Sequence, residues 1–124
     1  MNYRIAAVDD EKTVRDLLRR TLEPAGFSVE TYANGEEALQ GLKKITPDLI
    51  LLDIRMPGMS GIELLEHLSS KHSGIPVFML TSTTDIESTN LAIQKGARDY
   101  LLKPFDTHHL VSYITSYLQK FKAA

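Results

Sequence analysis

Apolar residues recur along this chain with two periods in alternation. Short runs rich in β-branched and aromatic residues stand at 3–8 (YRIAAV), 27–32 (FSVETY), 48–53 (DLILLD), 75–80 (IPVFML) and 99–102 (DYLL), each of strand length. Helical spacing fills the gaps. Val14, Leu17, Leu18 and Leu22 form one stripe, Ala38, Leu39 and Leu42 a second, and Ile62, Leu65 and Leu68 a third. Leu110, Ile114, Leu118 and Phe121 form the last. Glu36 and Glu37 open the second helix, where the positive end of the helix dipole favours acids. Gly26 and Gly96 stand where helices are expected to stop. The segment DIESTNLAIQKG is the weakest helix on propensity, because Ser88, Thr89 and Asn90 at its centre compete for backbone hydrogen bonds. It is expected to form mainly because the rest of the fold holds it, and to be the softest element.

Five strands alternating with five helices predict repeated βαβ units, hence a parallel α/β sheet covered on both faces. The run LILL, apolar on both faces, is expected to be a central strand. At 124 residues and 13.9 kDa the chain, 1–124, is expected to be one domain. Its net charge of −2 is spread over mixed signs without a basic cluster, so nucleic-acid binding is not expected. It contains no cysteine, which excludes thiol catalysis, disulfides and thiolate-bound metals. The start MNYRIAAVDDE has no apolar run of leader length, and no run approaches 18 apolar residues. A soluble, cytoplasmic domain with no membrane contact is the resulting expectation.

In sheets of this kind ligands sit beyond the carboxyl ends of the strands. The first strand runs into Asp9, Asp10 and Glu11, the third into Asp53, the fourth into Thr81 and Ser82, and the fifth into Lys103 and Pro104. Taken singly, Asp9 and Asp10 read equally well as caps of the first helix, and Lys103 as a solvated surface lysine. Their joint placement points elsewhere. Clustered carboxylates need a cation to coexist, and an all-oxygen set suits Mg²⁺ best. The histidines His67, His72, His108 and His109 fall near or within helices, away from these strand ends. A metal site, a central carboxylate, a hydroxyl and an ammonium together describe phosphoryl chemistry. The chain lacks GxxxxGK[ST] and GxGxxG loops, so the phosphoryl group is expected to end up on the protein itself.

The motifs AAVDDE (6–11), PDLILLDIRMPGMSG (47–61), PVFMLTS (76–82) and GARDYLLKPF (96–105), in that order, resemble the receiver domain of bacterial two-component response regulators. The resemblance covers essentially the whole chain, and by size the single-domain chemotaxis and sporulation types are most similar. It implies a flavodoxin-like, doubly wound (βα)5 fold. It implies that Asp53 is the phosphoacceptor for a sensor histidine kinase, a phosphotransfer protein or a small acyl phosphate. Asp10 would ligate Mg²⁺ directly and Asp9 through water, with Asp53 and the main-chain carbonyl of Arg55 completing the set. Lys103 would pair with the phosphoryl oxygens, and Lys103–Pro104 would be a cis peptide. Thr81 would carry its hydroxyl to the phosphoryl group and Tyr100 would rotate inward, changing the face formed by helix 4, strand 5 and helix 5. A downstream protein or an attached output domain would read that face.

Ser82 departs from the family's usual alanine, while Arg55 and Thr83 occupy variable positions that tune phosphoryl lifetime. Two other readings compete. One is a receiver joined to a DNA-binding or other output domain, against which the last helix lacks the acids and arginines usual in winged-helix regulators. The other is a Mg²⁺-dependent phosphatase, which needs an acid where Arg55 stands. Tyr113 and Tyr117 suit either a partner surface or packing on the sheet. Lys12 and Arg15 are implied kinase contacts.

Overall fold

In a computed structural model the expected alternation appears in full, and the structure describes residues 2–71, 74–82 and 85–123. His72 and Thr83 lie outside them. The strands are β1 (Arg4–Val8), β2 (Ser28–Tyr32), β3 (Leu49–Asp53), β4 (Val77–Thr81) and β5 (Asp99–Leu102). The helices are α1 (Lys12–Leu22), α2 (Gly35–Leu42), α3 (Gly61–Lys71), α4 (Ile86–Gln94) and α5 (Thr107–Ala123). The first four strands begin one or two residues later than the apolar runs at 3, 27, 48 and 75 predict. The fourth strand also runs one further, to Thr81.

All strand pairs are parallel, in the order β2-β1-β3-β4-β5. Every residue of β3 is buried, as a strand with partners on both edges and helices on both faces must be. The period-2 alternation of side chains divides the core into two layers. Ile5, Ala7, Leu49, Leu51, Phe78 and Leu80 meet Leu18 and Leu22 of α1 and Leu110, Ile114 and Leu118 of α5. Ala6, Val8, Ile50, Leu52 and Met79 meet Ala38 and Leu42 of α2, Leu64, Leu65 and Leu68 of α3, and Ala92 of α4. Leu64 thus joins the core beside the predicted stripe of α3, while Ile62 is only partly covered.

Helix ends follow the chemistry of their sequences. Asn34 caps α2 by accepting from the Glu37 N–H at 2.9 Å. Gly26, reached through a 3-10 turn over Glu23–Ala25, and Gly96 take φ of 101° and 114°, the left-handed region open to glycine. Tyr113 and Tyr117 both lean on Phe78, with ring centroids 5.7 and 4.8 Å away. Sheet packing therefore accounts for much of these two rings, which remain half-buried.

The strand order reverses direction at β1, whose neighbours are β2 on one side and β3 on the other. The crevice at the carboxyl ends of β1 and β3 is the topological switch point, where such sheets bind ligands.

Candidate functional site

Asp53 is the last residue of β3 and is only 5% exposed. The apolar strand fixes its backbone between β1 and β4, so the carboxylate stands at the sheet edge with little freedom. The turn after it is drawn tight, with Gly61 N–H donating to the Ile54 carbonyl at 2.9 Å. A β-carbon at Gly61 would collide with the carbonyl oxygen of Asp53, so only glycine lets α3 begin this close to the strand end.

Asp9 follows β1 and is fully buried. Its Oδ1 accepts from the Glu11 N–H at 2.9 Å. The residue at the N-cap of α1 is Glu11, without a side-chain cap bond, so neither Asp9 nor Asp10 serves as that cap. Lys103 reaches across from the end of β5, where its N–H donates to the Thr81 carbonyl at 2.8 Å. Its Nζ lies 2.8 Å from Asp9 Oδ2, 3.3 Å from Asp53 Oδ1 and 3.7 Å from Glu11 Oε1. Lys103 is therefore no solvated surface lysine. The Lys103–Pro104 peptide is cis.

Asp9, Asp10 and Asp53 each present an oxygen within 4.8 Å of the others, with Asp10 exposed and the other two buried. One ammonium faces this set, and the electrostatics record the imbalance. Burial, then the neighbouring Asp9 charge, push the Asp53 carboxyl up to about 7 against the opposing pull of Lys103. Burial also raises Asp9, although Lys103 and the Glu11 N–H work against it. Burial works against the Lys103 ammonium, but Asp9 and Asp53 outweigh it and raise its pKa. Asp9 Oδ2 is buried with a charge contact to Lys103 but no aligned hydrogen bond. Three carboxylates, oxygen donors only and one such oxygen fit a hard divalent cation.

Thr81 ends β4 and is 4% exposed. Its Oγ1 is 2.9 Å from Thr89 Oγ1 of α4, with the Ser82 carbonyl at 3.3 Å as the alternative acceptor for its one proton. Ser82 itself is exposed. Tyr100 on β5 is 44% exposed and borders a 290 Å³ cavity with Thr81, Ile86, Thr89, Asn90 and Leu102. The Arg55 guanidinium turns to Asp85, whose carboxyl it holds below the usual range through hydrogen bonds. On α1, Arg15 Nη1 donates to the Asp9 carbonyl at 2.8 Å and Lys12 pairs with Asp16 at 2.7 Å. Sequence reasoning missed Asp85 and Thr89. The available signal was a hydroxyl at the centre of α4, four residues after an acid.

The family model of the response regulator receiver domain matches residues 5–115. The chain belongs to the response regulator receiver domain family. This receiver domain is 43% identical over 107 residues to the DNA-binding transcriptional regulator NtrC of Escherichia coli, covering 86% of the chain and 23% of that protein. Among solved structures it superposes on NtrX from Brucella abortus with a TM-score of 0.93 at 32% identity, over 99% of the chain and 29% of NtrX. It superposes on the chemotaxis protein CheY4 of Vibrio cholerae with a TM-score of 0.86 at 34% identity, over 94% and 98%. The receiver domain thus spans about a quarter of its NtrC relative and nearly all of CheY4. It is a domain of signalling proteins, and no helix among its described residues is long and apolar enough to cross a membrane.

Proposed function

We propose that this receiver domain is a cytoplasmic switch of a two-component phosphorelay in which Asp53 accepts a phosphoryl group from a histidine kinase or phosphotransfer protein. The observation that carries the reading is the meeting of Asp53, Asp9 and Asp10 with Lys103 Nζ at one sheet edge. An Asp53 oxygen attacks phosphorus, the O–P bond forms as the P–N bond to the donor imidazole breaks, and the imidazole keeps that electron pair and takes a proton. Lys103, already 3.3 Å from Asp53 Oδ1, offsets charge on the phosphoryl oxygens. Thr81 exchanges its bond to Thr89 for one to the phosphoryl group. Asp9, Asp10, Asp53 and the Arg55 carbonyl would hold Mg²⁺, with Asp9 acting through water. A bound Mg²⁺ supplies positive charge against the carboxylates and the transferring group.

The chain acts catalytically on its own phosphorylation and dephosphorylation only. A phosphorylated side chain adds about −1.5 to −2 of charge, enough to bias α4 and let Tyr100 turn into the cavity beside Thr81. The face of α4, β5 and α5 is then read by a partner protein or by an output domain in the same chain. The greater length of the NtrC and NtrX relatives supports the second arrangement, and CheY4 the first. Incubation with acetyl phosphate, with and without Mg²⁺, tests the central claim. Wild type should gain a base-labile phosphate only with Mg²⁺, and Asp53→Asn should gain none. Equal labelling of Asp53→Asn overturns the assignment.

A further inference from the structure

Two residues of the phosphoryl site are tied to the first turn of α4. The guanidinium of Arg55, two positions beyond Asp53, grips the Asp85 carboxylate through Nε at 2.8 Å and Nη2 at 2.9 Å. This fork is the strongest geometry such a pair can take. Asp85 immediately precedes α4 and is 7% exposed, yet its side chain makes no cap bond to the helix. A buried carboxylate that forgoes capping a main-chain N–H must be satisfied by side chains, and Arg55 is its principal partner, with a side-chain hydrogen bond from Ser88 beside it. The main-chain carbonyl of the same Asp85 accepts from Thr89 Oγ1 at 2.7 Å. Thr89 Oγ1 in turn meets Thr81 Oγ1 at 2.9 Å. Asp85 therefore anchors Arg55 after β3 directly and Thr81 at the end of β4 through Thr89.

We propose that Asp85 and Thr89 form a two-point latch that holds α4 in its unphosphorylated position until Arg55 and Thr81 turn to the phosphoryl group. The inference rests on the reading of Asp53 as phosphoacceptor and Thr81 as its hydroxyl partner. Both ties use groups that a phosphoryl group competes for. A guanidinium fork fits phosphate oxygens as well as a carboxylate, and a hydroxyl bonds better to an anion than to a neutral oxygen. The Arg55 side chain is 76% exposed, so its pairing with Asp85 is screened by water and exchangeable. Coupling is reciprocal: whatever the latch adds to the resting arrangement it subtracts from affinity for the phosphoryl group. Asp85 touches no reacting atom, so it is a positioning residue.

The test uses Asp85→Asn, Thr89→Val, Arg55→Gln and the Arg55→Gln/Asp85→Asn double variant. Two readouts apply: beryllofluoride affinity in the presence of Mg²⁺, and amide exchange across Ile86–Gln94 without any phosphoryl mimic. Asp85→Asn should tighten beryllofluoride binding and speed α4 exchange, each by roughly three- to tenfold, with β3 protection unchanged. Thr89→Val should speed α4 exchange through the second tie, and keeps the claim testable if Asp85→Asn also loosens β3. The double variant should exchange no faster in α4 than Arg55→Gln alone, because both remove one interaction. Effects on exchange that add, or α4 exchange unchanged in Asp85→Asn and Thr89→Val alike, overturn the latch. Asp53→Asn separates the two claims. Beryllofluoride binding that survives it removes the phosphoacceptor assignment, whereas α4 exchange unaltered in both Asp85→Asn and Thr89→Val removes the latch and leaves the chemistry of Asp53 standing.

Discussion

Strand β3 and helix α4 treat their residues in opposite ways. In β3 every residue is buried, four of them apolar, and the polar one, Asp53, stands last. In α4 the buried residues are Thr89 and Ala92, while Ile86, Leu91 and Ile93 are 65%, 42% and 40% exposed. A strand clamped on two edges and two faces can hold an ionised group where water would otherwise be preferred. A helix that turns its large apolar residues outward owes its position to few contacts, several of them polar and exchangeable. The first fixes a carboxylate in place, and the second is held by contacts that can be exchanged.

The largest effect that tests this contrast is on stability. Leu52→Ala should lower the free energy of unfolding by about 2–5 kcal/mol, since Leu52 is fully buried in a layer shared with α2 and α3. Leu91→Ala on α4 should change it by no more than about 0.5 kcal/mol. Urea denaturation measures both, and similar losses would break the comparison.

The next effect is electrostatic. The Asp53 carboxyl titrates at about 7 in the folded chain against an ordinary 3.8, so folding favours its protonated form. The stabilisation from that proton is complete below 3.8 and is lost as pH rises through about 7. Unfolding free energy should therefore fall across this window by on the order of 2–4 kcal/mol on account of Asp53. Asp53→Asn should flatten the decline, and Mg²⁺ should stabilise wild type more at pH 8 than at pH 5. A flat profile in wild type would show that β3 does not hold its charge under strain.

Much of this was legible in the sequence because the signals were redundant. The β3 run was apolar on both faces, and the four strand ends carried chemistry that made sense only together. Strand starts were less legible, since Asp48 and Ile75–Pro76 adjoin the apolar runs without a break but precede the paired ladder. The roles of Asp85 and Thr89 were not legible. Thr89 reads locally as a helix-weakening residue, and only the fold brings it to Thr81, from which it takes a hydrogen bond in place of water. Arg55 likewise gave no sign of its partner, which lies 30 residues away in sequence.

A smaller effect concerns the one cation in the cluster. Lys103→Met should cost about 1–3 kcal/mol, because it leaves Asp9 Oδ2 and Asp53 buried without their ammonium. It should also drive the Asp53 titration above 7, since Lys103 is what pulls it down. Carboxyl chemical shifts followed against pH would show this directly. A titration that stayed in place would mean that Lys103 does not govern the charge at the end of β3.

The smallest expected change in stability falls on α4. Ile86 is the most exposed large apolar residue described, and it borders the 290 Å³ cavity with Tyr100 and Leu102, themselves 44% and 46% exposed. Ile86→Ser removes little buried area, so urea denaturation should place it within about 0.5 kcal/mol of wild type. Beryllofluoride binding should also be unchanged, because Ile86 contributes nothing to the cluster of Asp9, Asp10, Asp53 and Lys103. An apolar side chain kept in water next to an exposed tyrosine and leucine nevertheless carries a cost in solubility that a serine would avoid. If this face is what the partner or output domain reads, Ile86→Ser should weaken that association severalfold in the phosphorylated state while leaving fold and phosphorylation intact. A loss of stability as large as that of Leu52→Ala would instead make Ile86 part of the core, and the opposition between β3 and α4 would fail at its most exposed point.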